Sequence, residues 1–289
     1  MSEWTWVLVK AHDSLTEGPV WDGTALLYNE CSANTTYRIN PDSGDIEVWR
    51  TDTGAANGAN FSRDGRLFNC EGAAKRMTEV QGPDDVTVIA GEHDGVPFNA
   101  PNDVAIHSSG RVWFTDPNYG ERPTEKDNES IYSADESNGS WTTTRVTFDT
   151  TRPNGLIFSA DESLLYVAES PNGPLNHSEL RSYPVNADGS LGDYKVLHDF
   201  GNCRGIDGMC LTADGNILAT AGSESVGPGS MLYLFAPSGR VLSTAPTPAD
   251  SPTNCAFAEE GLDVIYVTFA TGHVYRVPDS GLTGLRLYP

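Results

Sequence analysis

Apolar and polar residues alternate at period two through most of the chain, in short bursts separated by turns. Residues 100–116 read APNDVAIHSSGRVWFTD and residues 152–169 read RPNGLIFSADESLLYVAE. Each places a Pro-Asn pair before an apolar strand, a polar turn and a second apolar strand, the pattern of a half-buried β-hairpin. Asp-Gly at 64–65 and 214–215 and Ser-Gly at 109–110 supply the positive-φ residues that tight turns require. Four looser copies begin at Glu17 (EGPVWDGTALLYNE), Asn60 (NFSRDGRLFNCEG), Asp207 (DGMCLTADGNILATAG) and Asn254 (NCAFAEEGLDVIYVTF).

The six copies start at 17, 60, 102, 154, 207 and 254, which are 42 to 53 residues apart. Periods of that size imply a propeller or another repeat array. Further strand candidates between the hairpins, TYRINP, SIYSAD, LRSYPV and MLYLFAP, give each unit about four short strands, the makeup of one propeller blade. The residues after Asn254 and those before Glu17 together supply one more period. The segment WTWVLVK (residues 4–10) is therefore expected to complete the last blade and leave no open edge. The expectation is an all-β chain, one six-bladed β-propeller domain over residues 1–289 with four-stranded antiparallel blades, negligible helix and a ring closed by the N-terminal strand. Two β-sandwich domains are the alternative, but they do not explain why six units open on the same residue class.

Composition narrows the partners. With 29 Gly and 18 Pro among 289 residues, long uninterrupted helices have little room. Forty acidic side chains against 18 basic ones give a net charge of −22, which disfavours nucleic acid and anionic membranes. The acids are dispersed and read first as a solvated surface. No segment approaches the ~20 apolar residues of a membrane span, and MSEWTWVLVKAHD has no basic region leading into an apolar stretch of signal-peptide length. Five cysteines without a CxxC pair fit a reduced, cytoplasmic chain. A small-molecule substrate is the expected partner, and the chain is expected to be a monomer or a weak homo-oligomer.

The first residues of the six copies are Glu17, Asn60, Asn102, Asn154, Asp207 and Asn254, all carboxylates or carboxamides. A position repeated once per blade on the innermost strand converges on the central channel. Oxygen donors without His or Cys suit calcium best, with magnesium and manganese as substitutes and zinc less suited. At any single site an Asn or Asp that only shapes a turn is the simpler reading. Six in phase favour a shared site.

The set EGPVWDG, PNDVAIHSSGRVWFTDP, RPNGLIFSADESLLYVAES and GIDGMCLTADGNI resembles the blade motifs of the senescence marker protein/gluconolactonase/luciferin-regenerating enzyme family, from Glu17 to the last blade. The resemblance implies a six-bladed propeller with one divalent cation, usually calcium, and hydrolysis of lactones or related esters. It implies Glu17, Asn154 and Asp207 as metal ligands and Asn102 as a residue reaching metal or substrate. Where some sugar lactonases carry Arg two residues before the PND asparagine, this chain has Ala100. Ile206 replaces a frequent Pro, and Arg204 lies just upstream.

Asp207 is the expected base that positions water, and direct attack by Asp207 on the substrate is the alternative. GxSxG, HExxH and GxxxxGK are absent. Asn60, His93, Tyr119 and Arg204 are further candidates for substrate contact, with Phe98 beside them as a pocket wall. Asp116, Glu30, Glu71 and Glu169 read as blade-packing or surface groups, and Cys203 as a structural thiol. Competing readings keep the metal for phosphotriester hydrolysis or another non-lactone reaction, or make it structural in a non-catalytic propeller.

Overall fold

The computed structural model describes residues 4–120, 129–171 and 177–286, and among these every regular element is a strand. After β1 (Val7–Ala11), blade 1 comprises β2 (Thr16–Trp21), β3 (Leu26–Glu30), β4 (Thr35–Ile39) and β5 (Ile46–Thr51). Blade 2 comprises β6 (Ala56–Phe61), β7 (Leu67–Glu71), β8 (Arg76–Gly82) and β9 (Asp85–Ala90), followed by a small hairpin of β10 (Glu92–His93) and β11 (Val96–Pro97). Blade 3 holds β12 (Val104–Ile106), β13 (Val112–Asp116), β14 (Ser130–Ser137) and β15 (Ser140–Arg145), and blade 4 holds β16 (Pro153–Phe158), β17 (Leu164–Glu169), β18 (Glu179–Pro184) and β19 (Lys195–Asp199). Blade 5 holds β20 (Ile206–Leu211), β21 (Ile217–Ser223), β22 (Val226–Phe235) and β23 (Val241–Pro246). The last three strands are β24 (Pro252–Ala258), β25 (Val264–Phe269) and β26 (His273–Val277).

These strands form six antiparallel four-stranded sheets in a ring, a six-bladed β-propeller. The sixth sheet runs β24, β25, β26, β1, so the N-terminal strand closes the ring, pairing Val7 with Arg276 and Ala11 with His273. The strand begins three residues later than WTWVLVK suggested. Trp6 instead packs edge-on against Tyr275, 6.3 Å between ring centroids.

Burial follows position within the blade. The second strands LLYNE, VWFTD and VIYVTF are buried at every residue because neighbouring blades cover both faces. Outermost strands such as SWTTTR are half-covered and alternate with solvent. Aromatic rings seal the seams: buried Trp113 of blade 3 meets Phe158 of blade 4 edge-to-face at 5.4 Å.

One irregularity recurs on the innermost strands. Pairing with the second strand slips between Glu17 and Val20, Ala56 and Ala59, Pro153 and Leu156, Ile206 and Met209, and Pro252 and Cys255. A bulge turns consecutive side chains out of strict alternation, and here it falls where each strand enters the channel. Blade 3 reaches the same place just ahead of β12, with the Asn102 amide donating to the Thr115 carbonyl at 2.9 Å.

Candidate functional site

The bulges put two residues per blade at the channel mouth. Counted by register, the upper ring is Glu17, Asn57, Asn102, Asn154, Asp207 and Thr253, and the ring below it is Gly18, Gly58, Asp103, Gly155, Gly208 and Asn254. Four of the six residues named from sequence thus share one level. Asn60 does not: it lies three residues further down β6, where its Nδ2 donates to the Val104 carbonyl at 3.3 Å. Asn254 sits one level below Glu17. The lower ring explains the glycines that follow several of the site residues. A Cβ on Gly58 would lie 2.4 Å from Asp103 Oδ1, and one on Gly208 would lie 2.2 Å from Asn254 Cγ. The side chains of blades 3 and 6 therefore fill the channel only because blades 2 and 5 leave it open.

Electrostatics concentrate there. Glu17 is buried and accepts from the Gly18 amide at 2.7 Å. Its carboxyl is raised well above the usual range, first by desolvation, then by the Asp207 and Asp103 charges. Asp207 is raised by burial and held down by Arg204 and by a hydrogen bond from Asn154. Arg204 Nη2 donates to Asp207 Oδ2 at 2.5 Å, while its Nη1 donates to the carbonyls of Gly222 (2.9 Å) and Pro252 (3.0 Å). Burial pushes Asp103 up to about 7, against donation from the Val104 amide. The Asn254 carboxamide bonds both Glu17 and Asp103. Three carboxyls with one guanidinium among them form an under-compensated acidic centre, which suits a hard dication. Among the described residues no three His, Cys, Asp or Glu side chains form a ready-made metal set. A cation here would have to draw on carboxamide oxygen as well, and Glu17, Asp207 and Asn154 together offer such a set.

Tyr119 stands over the mouth. Its residue surface is half exposed, yet its phenol is raised by desolvation and then by Asp207 and Glu17, and the Arg152 guanidinium lies 5.0 Å from its ring centroid. Ala100 lies beside the Pro101-Asn102 entry, its amide held by Asp116 Oδ1 at 2.9 Å. His93 turns elsewhere: Nδ1 contacts Thr143 Oγ1 at 3.0 Å and the ring packs on Tyr132, on the outer strands of blade 3 rather than over the channel. Phe98 is fully buried against Phe114 and Tyr132, so it packs the blade and lines no pocket. Glu30, Glu71, Asp116 and Glu169 are all buried blade groups, not surface ones. Cys203 is half-buried, with its thiol donating to the Gly227 carbonyl at 3.0 Å. Below the rings the channel continues as a cavity of about 110 Å³, with Asp103 and Asn254 at one end and Val20, Asn60, Leu156 and Met209 along it.

The family model described as SMP-30/Gluconolactonase/LRE-like region matches residues 15–271. The chain belongs to this family. A gluconolactonase of Zymomonas mobilis is 30% identical over 295 residues, covering 91% of this chain and 78% of that one. Two solved propellers share the fold: a gluconolactonase from Xanthomonas campestris (23% identity, TM-score 0.81, 96% of this chain and 90% of that one) and a calcium-binding regucalcin from Agrobacterium tumefaciens (19%, 0.78, 98% and 96%).

Within this SMP-30/gluconolactonase-like ring, sequence reading overlooked Asn57, Asp103 as a channel group, and Arg152. A signal for the first existed. Asn57, Asn102, Asn154 and Asp207 each precede by eight residues the positive-φ turn residue of their hairpin, Gly65, Gly110, Glu162 and Gly215. Counting back eight from the turn finds Asn57, where matching the first polar residue finds Asn60, but it does not find Glu17 or Thr253.

Proposed function

We propose that this chain is a divalent-cation-dependent hydrolase of a lactone or related cyclic ester, with calcium as the cation and Glu17, Asn154 and Asp207 as its protein ligands. The observation that carries this reading is the under-compensated pair of buried Glu17 and half-buried Asp207 at the channel mouth, with Asn154 bonded to Asp207. The gluconolactonase relative and the calcium-binding neighbour support it. When bound, the cation supplies Lewis acidity toward a carbonyl oxygen and a template for substrate and water.

The residues divide the remaining work. Asp207 takes the proton of the attacking water at a carboxylate oxygen. Arg204 holds Oδ2 and leaves proton acceptance to the rest of the carboxylate. Tyr119 stays protonated at neutral pH and offers a donor above the acids. Asn102, on the same level as Glu17, faces the substrate from blade 3. Water oxygen bonds to the carbonyl carbon, the ring C–O bond breaks, and the alkoxide leaving group takes up a proton to give the hydroxy acid. Ala100 leaves the blade 3 side small and apolar, which favours a substrate less hydroxylated than an aldonolactone.

The test is hydrolysis of a lactone panel, read by proton release, on protein stripped with chelator and resupplied with calcium, zinc, manganese or magnesium. Loss on stripping and recovery with calcium is expected, and undiminished turnover by stripped protein would overturn the proposal. Single turnover in ¹⁸O-water separates the two roles of Asp207, because label enters its carboxylate only if Asp207 attacks directly.

A further inference from the structure

Two thiols meet in the lower channel, below the carboxylates. Cys210 on β20 and Cys255 on β24 face each other across the seam between blades 5 and 6, Sγ to Sγ 3.5 Å, and both line the cavity of about 110 Å³. All five cysteines are free thiols. Among the described residues, the hydrogen bonds include no other sulfur–sulfur contact.

We propose that Cys210 and Cys255 are a peroxide-oxidisable pair that closes into a disulfide bridging blades 5 and 6. Burial differs between the two, and the difference assigns their roles. Cys210 is half-buried toward the cavity, whereas Cys255 is 3% exposed, its thiol held up by its bond to Cys210 and by desolvation. Cys210, as thiolate, attacks one oxygen of hydrogen peroxide. The O–O bond breaks, hydroxide leaves and is protonated to water, and Cys210 becomes a sulfenic acid. Cys255 sulfur then attacks that sulfur. The S–O bond breaks, and the departing hydroxide takes the Cys255 proton as a second water. Overall two thiols give up two electrons and two protons, and one peroxide becomes two waters.

The cavity admits a small oxidant. Its volume of about 110 Å³ has room for hydrogen peroxide beside both thiols, and the 3.5 Å between the two sulfurs makes the internal disulfide the expected product. The site communicates upward as well. The Cys255 amide donates to Asn254 Oδ1 at 2.9 Å, and the Asn254 carboxamide bonds Glu17 and Asp103. The proposal does not depend on the hydrolase reading.

The experiment oxidises the native full-length protein with hydrogen peroxide, alkylates it under denaturing conditions and maps the peptides by mass. Loss of two of the five thiols, one linked Cys210–Cys255 peptide, and reversal by dithiothreitol are expected. Cys210→Ser should abolish the link. Because Cys255→Ser perturbs a buried site, the wild-type peptide map decides without it. Five alkylated thiols after peroxide, over-oxidised Cys210 with free Cys255, or a link through Cys31, Cys70 or Cys203 would each overturn the assignment.

Discussion

Blades 4 and 5 hold their site residues by opposite chemistry. In blade 4 the second strand ends on buried Glu169, whose Oε1 accepts from the amides of Thr151 (2.9 Å) and Arg152 (2.6 Å) and fixes the approach to Asn154. Blade 3 uses Asp116 on Asn99 and Ala100 in the same way. In blade 5 the residue opposite Ile206 is Ala221, and no carboxylate is available there. Arg204 does the fastening instead, donating to carbonyls of blades 5 and 6 and to Asp207 itself. An acid gathers amides and a guanidinium gathers carbonyls, so both devices satisfy buried backbone. The difference is that blade 4 separates scaffold from chemistry, while blade 5 combines them in one side chain.

The largest effect expected from breaking this contrast is at Asp207. Asp207→Ala should lower lactone turnover by roughly 10³-fold or more with the far-ultraviolet spectrum and unfolding midpoint retained, because it removes the proposed base and ligand together. Retained turnover would detach blade 5 from the chemistry. Next is the scaffold side. Glu169→Ala removes the longer of the two ion pairs of Arg181, whose Nη1 lies 3.3 Å from Glu169 Oε2 and whose Nε keeps Glu179 Oε2 at 2.7 Å, and it frees two amides. A stability loss of about 1–3 kcal/mol in urea titration is expected. A loss below 1 kcal/mol would mean that the loop is held by other contacts.

Arg204→Met tests the combined role. Removing a cation from Asp207 Oδ2 should tighten calcium binding by about tenfold, read by calorimetry, while unbonded carbonyls cost about 1–3 kcal/mol of stability. Weaker calcium binding would show that Arg204 positions Asp207 rather than competing for it. The smallest effect is on the far side of blade 1, away from both devices. There His12 contacts Glu30 (3.1 Å) and Tyr28 (2.8 Å), and desolvation holds it below 6.5. The unfolded chain takes up a proton as pH falls through about 6.5 and the folded chain resists it, so stability is lost toward acid. The stability difference between wild type and His12→Asn should therefore narrow from about pH 8 to about pH 5.5, and a constant gap would mean that His12 titrates normally.

The propeller was legible because its signals are local. Period-two strands and Asp-Gly turns such as 64–65 and 214–215 mark each hairpin without knowledge of its neighbours. Glu17, Asn102, Asn154 and Asp207 were legible because their motifs keep one distance from the strand. Asn60 misled because blade 2 carries two asparagines, and the bulge between Ala56 and Ala59 decides which of them reaches the upper ring. Asp103 was overlooked and Asn254 was placed one level too high for a related reason. Room for their side chains is left by glycines on other blades, Gly58 and Gly208, which sit far away in the chain. His93 looked poised over the mouth because it lies shortly before Asn102, but the β10–β11 hairpin folds back onto Thr143.

The pairing of β1 with β26 also sets a clock on biogenesis. β1 leaves the ribosome ahead of the blades that follow it and finds its partner only when residues 273–277 are made. At about 5–20 residues per second, that wait is on the order of 15 to 55 s. Through that interval Val7–Ala11 is a strand without a sheet, and the edge of β26, once made, is open to any nascent neighbour on the same message until the proper strand arrives. A polysome is thus where this ring is most exposed to mispairing, and chaperone dependence should fall on the interval before closure.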